Sequence, residues 1–157
     1  MSIAASVNLN ELGLVTARIP RVSAQLTLTD KLGALKVRFG MGRNNYKITP
    51  GLYKIGNPDS QSDVLLSANY KLSFDMLRRE LGGMNLWILV VDTKGVNVWC
   101  AAGKGTFGTD AVVRSIKKTS LESVVQHRRI IAPQLSASGV AAHKVKELSG
   151  FRTIFGP

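Results

Sequence analysis

Cysteine is nearly missing from this chain: Cys100 is the one thiol in 157 residues. A lone thiol cannot form an internal disulfide, which points to a reducing compartment. Long apolar runs are also lacking. The longest, Leu86 to Val91, is far short of the roughly 20 residues that cross a bilayer. The start, Met1-Ser2-Ile3-Ala4-Ala5, has neither the basic stretch nor the apolar segment of a signal peptide, so the chain by itself is expected to be soluble. Aromatic residues make up only 6%, no run of five basic residues exists, and no recognised nucleic-acid motif is present. Nucleic acid is therefore not expected as a partner. Histidine is limited to His127 and His143, and the ten acidic residues are scattered. No Ser-His-Asp arrangement, carboxylate pair, or zinc or iron–sulfur ligand set stands out.

What is present is a hydrophobic content of 45% and a net charge of +11. The first is enough to build the core of one ordinary domain. The second suits an anionic ligand, an acidic protein partner or an anionic membrane surface.

Residues 1–62 carry a weak pattern. Val22 to Thr29 alternates and reads as a strand, and Asn57 to Ser62 reads as a surface loop. From residue 63 the pattern sharpens. Val64-Leu65-Leu66 reads as a buried strand. Asn69 is placed to cap a following helix, with Leu72, Met76 and Leu77 on its inner face and Arg78, Arg79 and Glu80 outside. Gly82-Gly83 ends it. Leu86 to Val91 is apolar on both faces, as a central parallel strand requires. Thr93-Lys94-Gly95 is a turn and Val96-Asn97-Val98 short extended chain. A helix starts at Thr109-Asp110 and ends near Lys117-Lys118, with charges that suit its dipole. A shorter helix runs from Ser120 to about Gln126, and a strand from Arg129 to Ala132. Ser138 caps a helix over Val140 to Leu148 that Gly150 closes, and Phe151 to Phe155 is a last strand. Alternating strands and helices predict an α/β, Rossmann-like sandwich with a mainly parallel sheet.

Cys100 falls where a strand gives way to a glycine-rich turn. Gly103-Lys104-Gly105-Thr106-Phe107-Gly108 satisfies G-x-G-x-x-G, so a dinucleotide fingerprint must be weighed. No acidic residue ends a next strand about 20 residues on, where a ribose needs one, and Lys104 is followed by Gly105 rather than the Ser or Thr of a P-loop. The plain alternative is that Cys100 is buried and inert. Three features favour a ligand. Ala101, Ala102 and Gly103 are small, so a large planar molecule could approach the backbone. The glycines free successive N–H groups. A thiol in the first turn of a short helix beside Lys104 is suited to carry charge, and a thiolate is a metal ligand. One thiolate suffices for a metal already held by a macrocycle, a haem or a corrinoid.

The run Asn97-Val98-Trp99-Cys100-Ala101-Ala102-Gly103-Lys104 resembles the cap-helix motif of the mercury-methylating corrinoid proteins, the HgcA family. The resemblance continues through Gly105-Thr106-Phe107-Gly108-Thr109. It takes in Ala68 to Asp75, Trp87 to Thr93, His127-Arg128-Arg129 and Pro133-Gln134-Leu135, and covers about residues 46–157. It implies a corrinoid-binding α/β domain over 46–157, preceded by an extension at 1–45. It further implies a cobalamin bound base-off and Cys-on, with Cys100 as lower axial cobalt ligand and the residue central to catalysis. Asn97, Val98 and Trp99 would shape the cap helix. Asn69, Thr93, Ala101, Ala102, Gly103, Lys104, Gly105, Thr106, Phe107 and Gly108 would lie near the corrin or its tail, and Gln134 and Leu135 near the tail pocket. No D-x-H-x-x-G signature of His-on corrinoid proteins surrounds either histidine.

The implied activity is methyl transfer from methylcobalamin to Hg(II), giving methylmercury. A thiolate donates charge to cobalt and would help the methyl leave towards Hg(II) with its bonding electrons. The implied partners are a ferredoxin-like protein with two [4Fe–4S] clusters and a methyl-donor corrinoid or methyltransferase. The family also continues into a membrane-spanning domain, which would hold the full-length protein on the cytoplasmic side of the cell membrane. The related large subunit of the corrinoid iron–sulfur protein, a methyl carrier of acetyl-CoA-type one-carbon metabolism, shares the domain but lacks the cap cysteine in its pattern. It is the alternative reading.

Overall fold

In the computed structural model, which describes Gly13, residues 15–42 and residues 46–156, a five-stranded sheet forms the centre. One of its interior strands, β3, Leu86–Val91, is buried along its whole length. Such a run of apolar residues is stable only with partners on both edges and layers on both faces. β2, Val64–Ala68, pairs with it in parallel, setting Leu66 opposite Leu89. β1, Gly51–Ile55, pairs antiparallel on the other side. β4, Arg129–Pro133, lies beside β2 through Leu65 and Ile131, and β5, Arg152–Gly156, runs parallel to β4. The order is therefore β1-β3-β2-β4-β5, the mainly parallel α/β sandwich expected from the sequence.

Helices cover both faces. α1 spans Leu28–Arg38 near the start of the described chain. α2, Lys71–Glu80, inserts Phe74 into a cluster with Ile55, Ile88 and Val90. α3 is the short helix Val98–Gly103. α4, Thr109–Lys118, and α5, Ala142–Ser149, lie over the opposite face. There Val112, Ile116 and Val145 meet Leu66, Leu89, Phe107 and Phe151. Each such side chain, fully buried, contributes about 1.5–3 kcal/mol.

The chain leaves β2 through α2 to reach β3 on one side, then crosses back over β2 through α4 to reach β4 on the other. The connection reverses between β2 and β4. In open α/β sheets that reversal parts the loops at the carboxyl ends of the two strands and leaves a crevice there.

Several expectations from the sequence are corrected. Val22 to Thr29 forms no strand. Leu28 opens α1 instead, because Thr27 and Asp30 make a reciprocal capping box. β1 was hidden among glycine and proline breaks. Arg78 is buried rather than outside: its guanidinium bonds Asp75 at 2.8 Å and Asp30 at 2.8 Å. Met76 is exposed, and Phe74 takes the inner position. Asn69 does not cap α2, whose start at Tyr70 has no side-chain cap. After Ser120, which has left-handed backbone, only one 3-10 turn forms, Leu121–Ser123. Ser138 does not cap α5; the hydroxyl of Thr109 accepts the Ala141 N–H at 2.9 Å just before it. Gly150 does end α5, at φ 79°.

Candidate ligand site at the switch point

The carboxyl ends of β2, β3 and β4 deliver their loops to one edge of the sheet. Asn69 follows β2, Asp92 and Thr93 follow β3, and a 3-10 turn, Gln134–Ser136, follows β4. Asn69 is buried, and its side-chain oxygen accepts from Thr93 N at 3.0 Å and Gly95 N at 2.9 Å. The fully buried Thr93 hydroxyl lies 2.6 Å from the carbonyl of Val96. These bonds fix the loop that launches α3. Asn97 then caps it by accepting the Cys100 N–H at 2.9 Å. The stretch Val96-Asn97-Val98, expected as extended chain, thus turns into helix after Asn97.

α3 has two faces of different character. Ala101 and Ala102 face inward and are buried. Gly139 lies against them so closely that an added Cβ would meet the Phe107 carbonyl at 2.6 Å and the Ala102 carbonyl at 3.1 Å. Ala102 thus serves close packing of α3 on the chain around Gly139, while Gly103 is exposed with open space beside it. Phe107 belongs to the core, leaving only its backbone near the edge. The outer face carries Cys100, half-buried, with Trp99 71% exposed and Gly103 and Lys104 exposed. α3 packs against the Gln134–Ser136 turn, on which Gln134 is exposed and Leu135 is 60% exposed. Trp99 and Leu135 are thus large apolar side chains left exposed on two elements that pack together.

The glycine loop splits its duties. Gly105, at φ +76°, uses the left-handed backbone open to glycine, and Gly108 starts α4. Gly105 and Thr106 line a cavity of about 530 Å³ together with Asp92, Lys94, Arg114 and Lys118. It lies away from the groove that reaches Val98.

That second groove, about 490 Å³, was not foreseen. It runs between α2 and the β2–β4 pair and is lined by Leu65, Ser73, Leu77, Leu81, Val98 and Ile131, among others. Leu65 and Ile131, paired across β2 and β4, line it from the sheet, and Ser73, Leu77 and Leu81 line it from α2 and its end. Strand alternation in Val64 to Ala68 carried that signal, but only the strand order shows that no helix among the described residues covers β4 on this face.

His127 is a structural tie. Its Nδ1 accepts the Arg129 N–H, and its Nε2 stands 2.8 Å from the Ser62 carbonyl. His143 is exposed. Among the described residues no group of three or more His, Cys, Asp or Glu side chains could hold a metal ion, and no helix is long and apolar enough to cross a membrane.

Strand order and helix layers together define a Rossmann-like α/β domain. A family model described as CO dehydrogenase/acetyl-CoA synthase delta subunit matches residues 32–157, and the chain belongs to that family. Similar proteins include the acetyl-CoA decarbonylase/synthase complex subunit gamma of Methanopyrus kandleri, 32% identical over 73% of this chain and 25% of its own length. The subunit gamma of Methanocaldococcus jannaschii is 33% identical over 73% of this chain and 23% of its own. The subunit gamma 2 of Methanosarcina thermophila is 33% identical over 68% and 23%. The chain thus spans about a quarter of the length of these relatives. Their names belong to the acetyl-CoA side of the resemblance drawn from the sequence.

Proposed function

We propose that residues 46–157 form the corrinoid-binding domain of a methyl-transferring protein in which Cys100 is the lower axial ligand to cobalt and Hg(II) is the methyl acceptor. The observation that carries this reading is the placement of Cys100. It is the one thiol in the chain, half-buried on a capped helix next to exposed Trp99, and that helix packs against the turn that carries exposed Leu135. The residues present fit such a group. A metal that brings its own macrocycle needs one protein donor, and one is here. The open apolar groove beside Val98 suits a flat aromatic tail released from the metal.

When bound, a corrinoid supplies a cobalt-attached methyl group. The chain's own residues position and shield it. Asn97 fixes the first turn of α3 and so the direction of the Cys100 side chain. Trp99 and Leu135 would exclude water from the bound group. Leu65, Leu77 and Ile131 would receive its tail. The Cys100 sulfur would donate electron density to the metal, and the bound group would supply a methyl of the kind a soft electrophile such as Hg(II) accepts. A ferredoxin-like protein with two [4Fe–4S] clusters, a methyl-donating corrinoid protein or methyltransferase, and attachment to the cytoplasmic face of a membrane through a further domain belong to the same proposal.

A second reading is a methyl carrier of acetyl-CoA-type one-carbon metabolism, favoured by the relatives' names. Reconstitution with cobalamin separates the two. Wild type should give a sulfur-ligated visible spectrum that Cys100→Ala and Cys100→Thr both lose, and both variants should stop forming methylmercury from methylcobalamin and Hg(II). Retention of spectrum and activity in Cys100→Ala would overturn the axial-ligand assignment. Corrinoid binding and a sulfur-ligated spectrum without any methyl transfer to Hg(II) would leave the carrier reading.

A further inference from the structure

Among the described residues, α1 is anchored by one face and has no partner on the other. Inward, Asp30 bonds Lys71 at 2.7 Å and Arg78 at 2.8 Å, Gly33 lies against the Tyr46 ring, and Val37 is buried. Outward stand Leu28, Leu32, Leu35 and Phe39, exposed by 77, 64, 51 and 76%. Their spacing of four, three and four residues places them within an arc of roughly 60° at 3.6 residues per turn. Met41, 54% exposed, prolongs the ridge past the helix end. Lys31 and Arg38 flank the ridge on one side and Lys36 on the other, all exposed. The helix has one acid, Asp30, and it is engaged inward.

We infer that this ridge docks α1 on an anionic lipid surface, with the leucines and Phe39 entering the acyl boundary and Lys31, Lys36 and Arg38 at headgroup level. Interfacial helices have this layout, apolar residues on the lipid side and cations beside them. Charge complementarity favours lipid over a second copy. Two copies of the ridge would bring Lys31, Lys36 and Arg38 against one another, whereas an anionic leaflet gains about 1 kcal/mol per cation held at its surface. A partner helix in a two-stranded seam would cover α1 itself but leave Phe39 and Met41 at its end, while a planar surface covers the whole ridge. This contact uses neither Cys100 nor the groove beside Val98.

The test is co-sedimentation of this chain with vesicles of phosphatidylglycerol and phosphatidylcholine, against vesicles of phosphatidylcholine alone. The chain should partition onto the anionic vesicles. Leu32→Ser with Leu35→Ser keeps the charge and should lower that partition at least tenfold. Lys31→Gln, Lys36→Gln and Arg38→Gln together should lower it by about a hundredfold. All these side chains are exposed, so melting temperatures should hold, and Phe39→Trp should show quenching by brominated lipid as a second readout. Equal binding by wild type and the serine variant would mean general attraction of a basic protein and would overturn the proposal. So would a wild-type dimer that the serine variant turns into a monomer, with no vesicle binding by either.

Discussion

The side-chain oxygen of Asn69 accepts the backbone N–H of Thr93 at 3.0 Å, joining the loops that leave β2 and β3. The same oxygen takes the Gly95 N–H. Asn69→Ala should leave buried donors without partners, each costing about 1–3 kcal/mol. We expect a melting temperature lower by roughly 5–10 °C and faster hydrogen exchange at Thr93 and Gly95. Unchanged exchange at those two amides would refute the role given to Asn69.

Gly139 sets how closely α3 approaches the rest of the domain. In Gly139→Ala the new methyl would meet backbone of Phe107 and Ala102, which cannot swing aside. The expected loss is about 1–3 kcal/mol, seen as a lower urea midpoint. Because the clash lies under α3, corrinoid binding should weaken beyond what the stability loss explains. A variant that melts earlier yet titrates cobalamin like wild type would separate the two.

Asp30 gives the fold an acid-sensitive joint. The Lys71 ammonium bonded to it outweighs the effect of burial and, with Thr27 and Arg78, holds its carboxyl far below the usual 3.8. A group depressed in the folded state stabilises above its unfolded value, and that contribution is lost as pH falls below it. The urea midpoint of wild type should therefore drop more steeply from about pH 5 to about pH 3 than that of Asp30→Asn. Parallel curves for the two proteins would show that Asp30 does not carry the effect.

Filling the groove tests its use without touching the thiol. Ser73 lines it from α2 and is only partly buried. Ser73→Trp should weaken cobalamin binding by tenfold or more, about 1.4 kcal/mol, with the melting temperature nearly unchanged. Absorbance titration reads the affinity. Tight binding by this variant would place the tail elsewhere.

Periodicity and runs in the chain were enough for β2 to β5 and for α2, α4 and α5. Leu86 to Val91 could only be a central strand, because no other setting buries both its faces. Gly150 marked a helix end because its left-handed backbone suits glycine. Cys100 could be singled out because it is the one soft donor and stands before a glycine loop. Residues 1–62 stayed obscure because β1 is an edge strand with mixed burial, and because the capping box of α1 sits inside a stretch that alternates like a strand. Three features depend on contacts between distant residues. Arg78 is buried because Asp30, 48 positions earlier, turns a surface cation into part of an ion-paired joint. Asn69 is spent on a neighbouring loop because β2 and β3 lie side by side. The apolar groove exists because the chain reverses between β2 and β4, a property of strand order that local pattern does not encode. The sequence by itself determined that the chain has one thiol and that it stands before a glycine loop; the tertiary structure decided which face of its helix is open and what packs against it, because those depend on contacts between distant strands and turns.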